Sequence, residues 1–299
     1  MSDRAIQAQG LVKRLRGGVT AVDGVDLEIP RGAVYGLIGR NGAGKTTLLR
    51  LMMGLLRPSE GSVRVLGAEL LDAPRAHRAR VAYVSQQQPL PAWMTLDELG
   101  RYLSHFYDAW DPVYARALAD RFGLEDDRPI GAMSGGEQRK ASLLLALAAR
   151  PEVLLLDEPA AGLDPIARRG LIEELVDVLA SGRDCTVVLS THIIADLERI
   201  AESVGIMDRG RIVASDRLDA LQSGTKRVQV IVEGDPRAVE IPGALRTTRE
   251  GPVTTAIVRL SDPSALDKLA ATPGLRVNVF PLGLEDIFVE LFGQQKEQP

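Results

Sequence analysis

Gly39-Arg40-Asn41-Gly42-Ala43-Gly44-Lys45-Thr46 fits the pattern G-x-x-x-x-G-K-[ST] without a mismatch. It follows the short apolar run Val34 to Ile38 and precedes Thr46 to Leu56, whose apolar residues recur with helical spacing. The context is strand, glycine-rich loop, helix, which a chance Gly-rich turn with a lysine does not require. A chain of phosphates needs many donors close together, and glycines let backbone N–H groups turn inward with no Cβ in the way. The following helix adds the positive end of its dipole. Lys45 is expected on the β/γ-phosphates of a nucleotide and the Thr46 hydroxyl on Mg²⁺, with Thr47 adding a phosphate contact. Gly39, Asn41, Gly42 and Gly44 complete the candidate cradle.

Working outward, Val153-Leu154-Leu155-Leu156-Asp157-Glu158 is an apolar run of strand length ending in two acids. Continuous apolar runs belong in buried parallel sheets. An acid at the end of such a strand is costly unless it serves a cation or a hydrogen bond. Asp157 is expected on Mg²⁺, and Glu158 on the water that attacks the γ-phosphate. A carboxylate pair capping the next helix is the plainer alternative, weakened by the neighbouring phosphate loop.

Val81 to Val84 and Thr186 to Ser190 read as further strands. Residues 95–122 read as helical. Thr95 can cap with Glu98 three residues on, and Asp111-Pro112 starts a second helix. Gly136 to Arg150, Pro165 to Leu179 and Ile193 to Ala201 are also expected to be helical. Strands alternating with helices indicate an α/β protein with a mostly parallel sheet. The pattern changes near Ser223-Gly224. Strands are expected at Arg227 to Val232, Val253 to Leu260 and 275–280, and helices at 263–271 and Gly283 to Phe292. A boundary at about residue 222 makes 223–299 a small C-terminal α+β domain.

Composition removes several classes. The 299 residues are 45% hydrophobic and 25% charged, enough for an ordinary core. Lys+Arg 36 against Asp+Glu 40 leaves −4, unlike a dedicated nucleic-acid binder. One cysteine, Cys185, excludes an intramolecular disulfide framework, and its apolar neighbours Thr186-Val187-Val188-Leu189 suit an inert thiol. With three histidines in all, a His/Cys metal cluster is not expected. No apolar run reaches the length of a membrane span, and no signal peptide is expected. The expected location is cytoplasmic.

A third motif, Ser134-Gly135-Gly136-Glu137-Gln138, precedes a long helix ahead of the acidic strand. In that order, the three motifs resemble the nucleotide-binding subunits of ATP-binding cassette (ABC) transporters over about residues 1–222. The implied fold is a P-loop NTPase cassette. It has a mostly parallel sheet core, an antiparallel β part and a helical subdomain at about 87–150. The resemblance implies that Ser134, Gly135 and Gly136 serve an ATP held by a second protomer. Gln86 matches the family's glutamine loop, sensing Mg²⁺ or the γ-phosphate; Gln87 and Gln88 leave that register open. Asp164, in Ala161-Gly162-Leu163-Asp164, matches the loop that packs across the dimer. His192 matches the switch histidine on the γ-phosphate. Met133 stands where the family usually has Leu. The aromatic that stacks adenine is missing between Leu11 and Val19, where Leu15 or Arg16 takes its place.

The resemblance implies ATP and Mg²⁺ as ligands, a homodimer, and a separate integral membrane permease that places the chain on the inner face of the membrane. The tail Pro281 to Phe292 looks like the ends of export-type subunits. Trp93, Tyr102, Phe106, Tyr107 and Trp110 concentrate the chain's few aromatics in the helical part. They are either a partner's groove or that subdomain's own core. An import motor with a regulatory tail, or a soluble ATPase acting on ribosomes or DNA, are the competing readings.

Overall fold

The computed structural model describes residues 3–86, 89–180, 185–232, 239–259 and 264–292. The chain divides into two compact units, Met1–Ser215 and Asp216–Pro299.

The first unit is built on a six-stranded sheet of order β5-β6-β7-β3-β8-β9. Its strands are β3 (Val34–Ile38), β5 (Val81–Val84), β6 (Val153–Asp157), β7 (Thr186–Thr191), β8 (Ser203–Asp208) and β9 (Arg211–Arg217). From β5 through β8 the pairings are parallel. Every residue of β3, β6 and β7 is buried, as continuous apolar runs covered on both faces should be. β9 pairs beside β8 through a two-residue turn, Arg209-Gly210, with φ 45° and 84°. Positive φ at both positions suits the right-handed twist of a tight hairpin. A second, antiparallel sheet of order β2-β1-β4 holds β1 (Arg4–Arg14), β2 (Thr20–Pro30) and β4 (Glu60–Val65). Between the sheets, α1 (Lys45–Met52) buries Leu48, Leu49, Leu51 and Met52 with Ile6, Leu11, Ile29 and Leu37 in one core.

The remaining helices of this unit are α2 (Arg75–Arg78), α3 (Leu96–Ser104), α4 (Pro112–Phe122), α5 (Gly135–Ala148), α6 (Pro165–Ala180) and α7 (Ile194–Leu197). The N-terminal signals act as the sequence suggests. Thr95 and Glu98 form a complete capping box on α3. Asp111 caps α4 with Pro112 in the first turn, and Gly123 closes it in the left-handed region at φ 66°. Two helices are shorter than expected. α1 stops at Met52 rather than Leu56, because the chain turns at Gly54 with φ 72°. α7 stops at Leu197 rather than Ala201. There the Leu197 carbonyl accepts from both Ile200 and Ala201, which ends the regular ladder.

Cys185 enters β7 half-buried, and burial first, then the nearby negative Glu152, push its thiol up to about 12. Among the described residues no helix is long and apolar enough to cross a membrane.

The second unit is a four-stranded antiparallel sheet of order β11-β12-β10-β13. Its strands are β10 (Thr225–Val232), β11 (Ala244–Glu250), β12 (Val253–Arg259) and β13 (Leu275–Pro281). Val228, Val230, Ala256 and Val258 form one buried face with Ile241 and Leu266. Leu266 comes from α9 (Ser264–Ala270); α8 (Leu218–Gly224) leads in and α10 (Leu284–Phe292) ends the unit. The expected strand end Leu260 and helix start Pro263 lie outside the described residues.

A candidate nucleotide-binding site

Three loops leave the same edge of the parallel sheet, because β6, β7 and β3 are adjacent and run in one direction. The loop after β3 carries Gly39 to Lys45, β6 ends on Asp157 and Glu158, and β7 leads to His192. Residues more than a hundred positions apart thus meet at the carboxyl ends of the strands, where open α/β sheets bind ligands.

The phosphate loop is shaped by close approach. Gly44, the cap of α1, has φ 107°, and a Cβ there would lie 2.1 Å from the Ala21 carbonyl oxygen. A Cβ on Gly39 would lie 2.5 Å from the Met207 carbonyl oxygen. Both positions require glycine. The loop wraps the buried Lys45. Its Nζ donates to the carbonyls of Gly39 (2.7 Å) and Arg40 (3.3 Å) and pairs with Glu158 Oε1 at 3.3 Å. Glu158 Oε2 in turn lies 2.9 Å from His192 Nδ1, the carboxylate accepting. Glu158 has φ 47°, a left-handed conformation costly for a side chain with a Cβ. Its N–H donates to both the carbonyl (3.0 Å) and hydroxyl oxygen (3.1 Å) of Ser190, which fixes that conformation.

Asp157 is fully buried and has three donors. Its Oδ1 accepts from Thr46 Oγ1 (3.0 Å) and Ser190 Oγ (2.8 Å), and its Oδ2 from the Tyr83 hydroxyl (3.2 Å). The Tyr83 phenol is pushed up to about 12, by burial first and then by the negative Asp157. It therefore stays a neutral donor at physiological pH. A hydroxyl and a carboxylate meeting at the mouth of the loop are hard oxygen ligands of the kind Mg²⁺ takes.

A cavity of about 720 Å³ opens on this arrangement, lined by Asn41, Gly42, Gly44, Thr46, Thr47 and Gln86 among others. That volume suits a small-molecule ligand. Gln86 also lines a neighbouring cavity of about 430 Å³ with Gly135 and Gln138. Gln87 and Gln88 lie outside the described residues. The structure gathers the phosphate loop, Gln86, Asp157, Glu158 and His192, but leaves Ser134, Gly135, Gly136 and Asp164 off the 720 Å³ cavity.

Ser134 caps α5. Its Oγ accepts from Glu137 N (3.2 Å), and Glu137 Oε2 accepts from Ser134 N (2.6 Å). This backbone bond, then the Ser134 hydroxyl, holds the Glu137 carboxyl below its ordinary value. The box satisfies the Glu137 N–H, the third of the first turn, and leaves the Gly135 and Gly136 N–H groups aimed out of the helix end. Asp164 Oδ1 accepts from Ile166 N (2.9 Å) and Ala167 N (3.0 Å), so it caps α6.

Sequence reasoning missed Ser190, Tyr83 and Arg209. Ser190 had a signal, since it closes an apolar strand two residues before His192. Arg209 had none, being brought to the cavity by a distant hairpin. Of the aromatics singled out in the helical part, Trp93 (77%), Tyr102 (54%) and Phe106 (44%) are exposed, while Tyr107 and Trp110 are half-buried.

Residues 22–161 match the family model described as ABC transporter. The daunorubicin/doxorubicin resistance ATP-binding protein DrrA of Streptomyces peucetius is 33% identical, over 97% of this chain and 93% of that one. The Nod factor export ATP-binding protein I of Rhizobium johnstonii is 34% identical, over 100% and 98%. A solved ATP-binding subunit of an ABC transporter superposes with a TM-score of 0.65 at 29% identity, over 73% of this chain and 92% of that chain. These likenesses join a strand-end loop built for phosphates to a carboxylate and a histidine poised beside it. The chain therefore belongs to the ABC transporter family, as one of its ATP-binding, ATP-hydrolysing subunits.

Proposed function

We propose that two copies of this chain bind two ATP–Mg²⁺ between them and use closure around the nucleotide to drive a separate membrane permease, in the direction of export. The observation that carries the reading is the chain of contacts from the buried Lys45 and Glu158 to the exposed His192 at the phosphate-loop cavity. In this reading Lys45, Thr47, Asn41, Gly39, Gly42 and Gly44 hold the triphosphate. Thr46, Asp157 and Gln86 hold Mg²⁺, which would neutralise charge on the β- and γ-phosphates. Glu158 takes the proton of the attacking water, and His192 orients that carboxylate and hydrogen-bonds the γ-phosphate.

Ser134, Gly135 and Gly136 have no place at the chain's own cavity, which supports assigning them to the nucleotide of a partner copy. A helix N-terminus with two outward N–H groups suits a γ-phosphate. Asp164, on the loop before α6, is assigned to the same interface. The exposed Trp93, Tyr102 and Phe106 are assigned to the permease. Residues 1–222 then form the ATPase domain, and 223–299 an accessory domain. Export rests on the name of the Nod factor relative. The assigned location is the cytoplasmic face of the membrane, held there through the permease; no nucleic-acid partner is assigned.

Affinity capture of the tagged chain from detergent-solubilised native membranes tests this reading. Recovery of a multi-span protein in near-equal amount is expected. Recovery only with ribosomal or DNA-associated proteins would overturn it.

A further inference from the structure

His192 faces Glu158, but its side chain is 44% exposed, so its backbone more than close packing decides where the ring points. That backbone is short. Thr191 closes β7, Ile193 N–H folds back onto the Thr191 hydroxyl oxygen (2.9 Å), and α7 starts at Ile194. A helix of four residues has almost no stability of its own, so α7 sits where its side chains are anchored.

Two kinds of anchor act on it. Leu197 is fully buried against β3, where a Cβ on Gly36 would lie 2.9 Å from its methyl carbons. Ile194 is buried as well. Apolar contact is non-directional: it holds α7 down on the sheet without fixing how it turns or slides there. The second anchor is ionic. Asp196 is 7% exposed, and Arg168 of α6 reaches it with Nε 3.6 Å from Oδ1. Burial, the largest influence, pushes the Asp196 carboxyl up, while Arg168, then Arg199 and His192, pull it back. Arg199 also pairs with Glu173 of α6 at 3.5 Å, but both side chains are largely open to water, and such a pair contributes little. A carboxylate kept out of water depends far more on its cation.

Asp196 does not line the phosphate-loop cavity. Its importance lies in what it connects. Helix α6 begins straight after the loop that leaves Glu158, capped by Asp164. Arg168 lies one turn in, its N–H donating to the Asp164 carbonyl (2.9 Å). Helix α6 therefore carries both members of the pair. Glu158 is joined to it through the loop 158–164, and His192 through α7, Asp196 and Arg168. The 2.9 Å bond between Glu158 and His192 closes that ring.

Resting on the assignment of Glu158 and His192 to hydrolysis, we infer that Arg168 and Asp196 are positioning residues, an ion pair that sets α7 on α6 and so holds the His192 ring on the Glu158 carboxylate. Without the pair the nucleotide still binds, since the phosphate loop is held by β3, α1 and its own lysine. The attack of water slows.

Asp196→Asn keeps the shape and removes the charge. Single-turnover ATP hydrolysis by the full chain, with the Kd for ATP measured beside it, tests the pair. A rate lower by about tenfold or more is expected, with Kd changed by less than about twofold, because a displacement of about 1 Å in a reacting group can cost about a hundredfold. His192→Ala alone should lose at least as much. Adding Asp196→Asn to His192→Ala should cost less than about twofold more, since a residue that acts through another does not add to its loss. A merely structural Asp196 would slow both backgrounds alike. A folded Asp196→Asn chain at the wild-type rate, or a full additive loss in the double variant, would overturn the role of the pair. His192→Ala at the wild-type rate would overturn the underlying assignment instead. Arg168→Gln, at the 30% exposed end of the pair, carries the same comparison if Asp196→Asn fails to fold.

Discussion

Glu158 meets two demands that oppose each other. Its carboxylate is held between Lys45 and His192, and its backbone sits in a conformation that an L-residue avoids. The surroundings over-determine it, since Ser190 accepts its N–H twice. Replacing the carboxylate by an amide keeps the shape and removes the basic group to which we assign the water's proton. Glu158→Gln is expected to cut ATP hydrolysis by about 10²- to 10⁴-fold, the usual worth of a general base. The variant should accumulate as an ATP-bound dimer on size-exclusion chromatography; hydrolysis at the wild-type rate would rule out the assignment of the base. Asp157 depends on its donors in a different way. Ser190→Ala removes the 2.8 Å bond to a carboxylate with no exposure to water. A loss of roughly 1–3 kcal/mol in urea unfolding is expected, because a buried charged acceptor is left short of a partner. An unchanged midpoint would count against this accounting.

At the scale of elements, the helix ends carry both the folding signals and the chemistry. The Ser134–Glu137 box holds the Glu137 carboxyl below its ordinary value. A carboxyl whose folded pKa is depressed adds stability above its unfolded pKa and loses it as pH falls through the folded one. Protection of the first turn of α5 from hydrogen exchange should therefore fall on acidification below the ordinary carboxylate range. In Glu137→Gln that pH dependence should disappear, and its persistence would place the titrating group elsewhere. The same elements show what a reader of the sequence can see. Apolar runs fill the buried strands β3, β6 and β7, and the motifs follow directly on the ends of two of them, so the phosphate loop and acidic strand end were legible. Strand β1 was not, because its alternation is broken by shifts of register between Ala8 and Leu11, where Gly10 takes φ 51°. Strand β9 alternates only between exposed and half-buried residues, so little apolar signal marks it. Gln86 and His192 were proposed through the resemblance and not through periodicity. Arg209 carried no such signal, since it is the hairpin tip, tied to Ala43 through Gly210, that brings it to the cavity.

The whole molecule separates its tasks between surfaces. The phosphates are served at the strand ends of the first unit, while Trp93, at 77% exposure, stands out on its helical part. An indole left in water is an unusual use of so large an apolar group, and this is the ground on which Trp93 is assigned to the permease. Trp93→Ala is expected to lower recovery of the membrane partner at least tenfold in the capture experiment while ATP affinity stays within twofold. Full recovery would move the contact elsewhere. The second unit brings a sheet and its own core of Val228, Val230, Ala256 and Val258 to this assembly. Among its described residues no constellation of catalytic groups stands out, which fits an accessory part better than a second active centre.

The position of Cys185 has a practical consequence. With burial pushing the thiol up to about 12, Cys185 presents little thiolate at pH 7. Maleimides and thiol-directed nitroxides are therefore expected to react slowly with the native chain, which a labelling time course checks. A cysteine placed at Ile166, 86% exposed beside the loop assigned to the partner copy, would be the sole labelled point on each chain. The separation between two such labels could then be followed through nucleotide binding and release, with no native residue altered first.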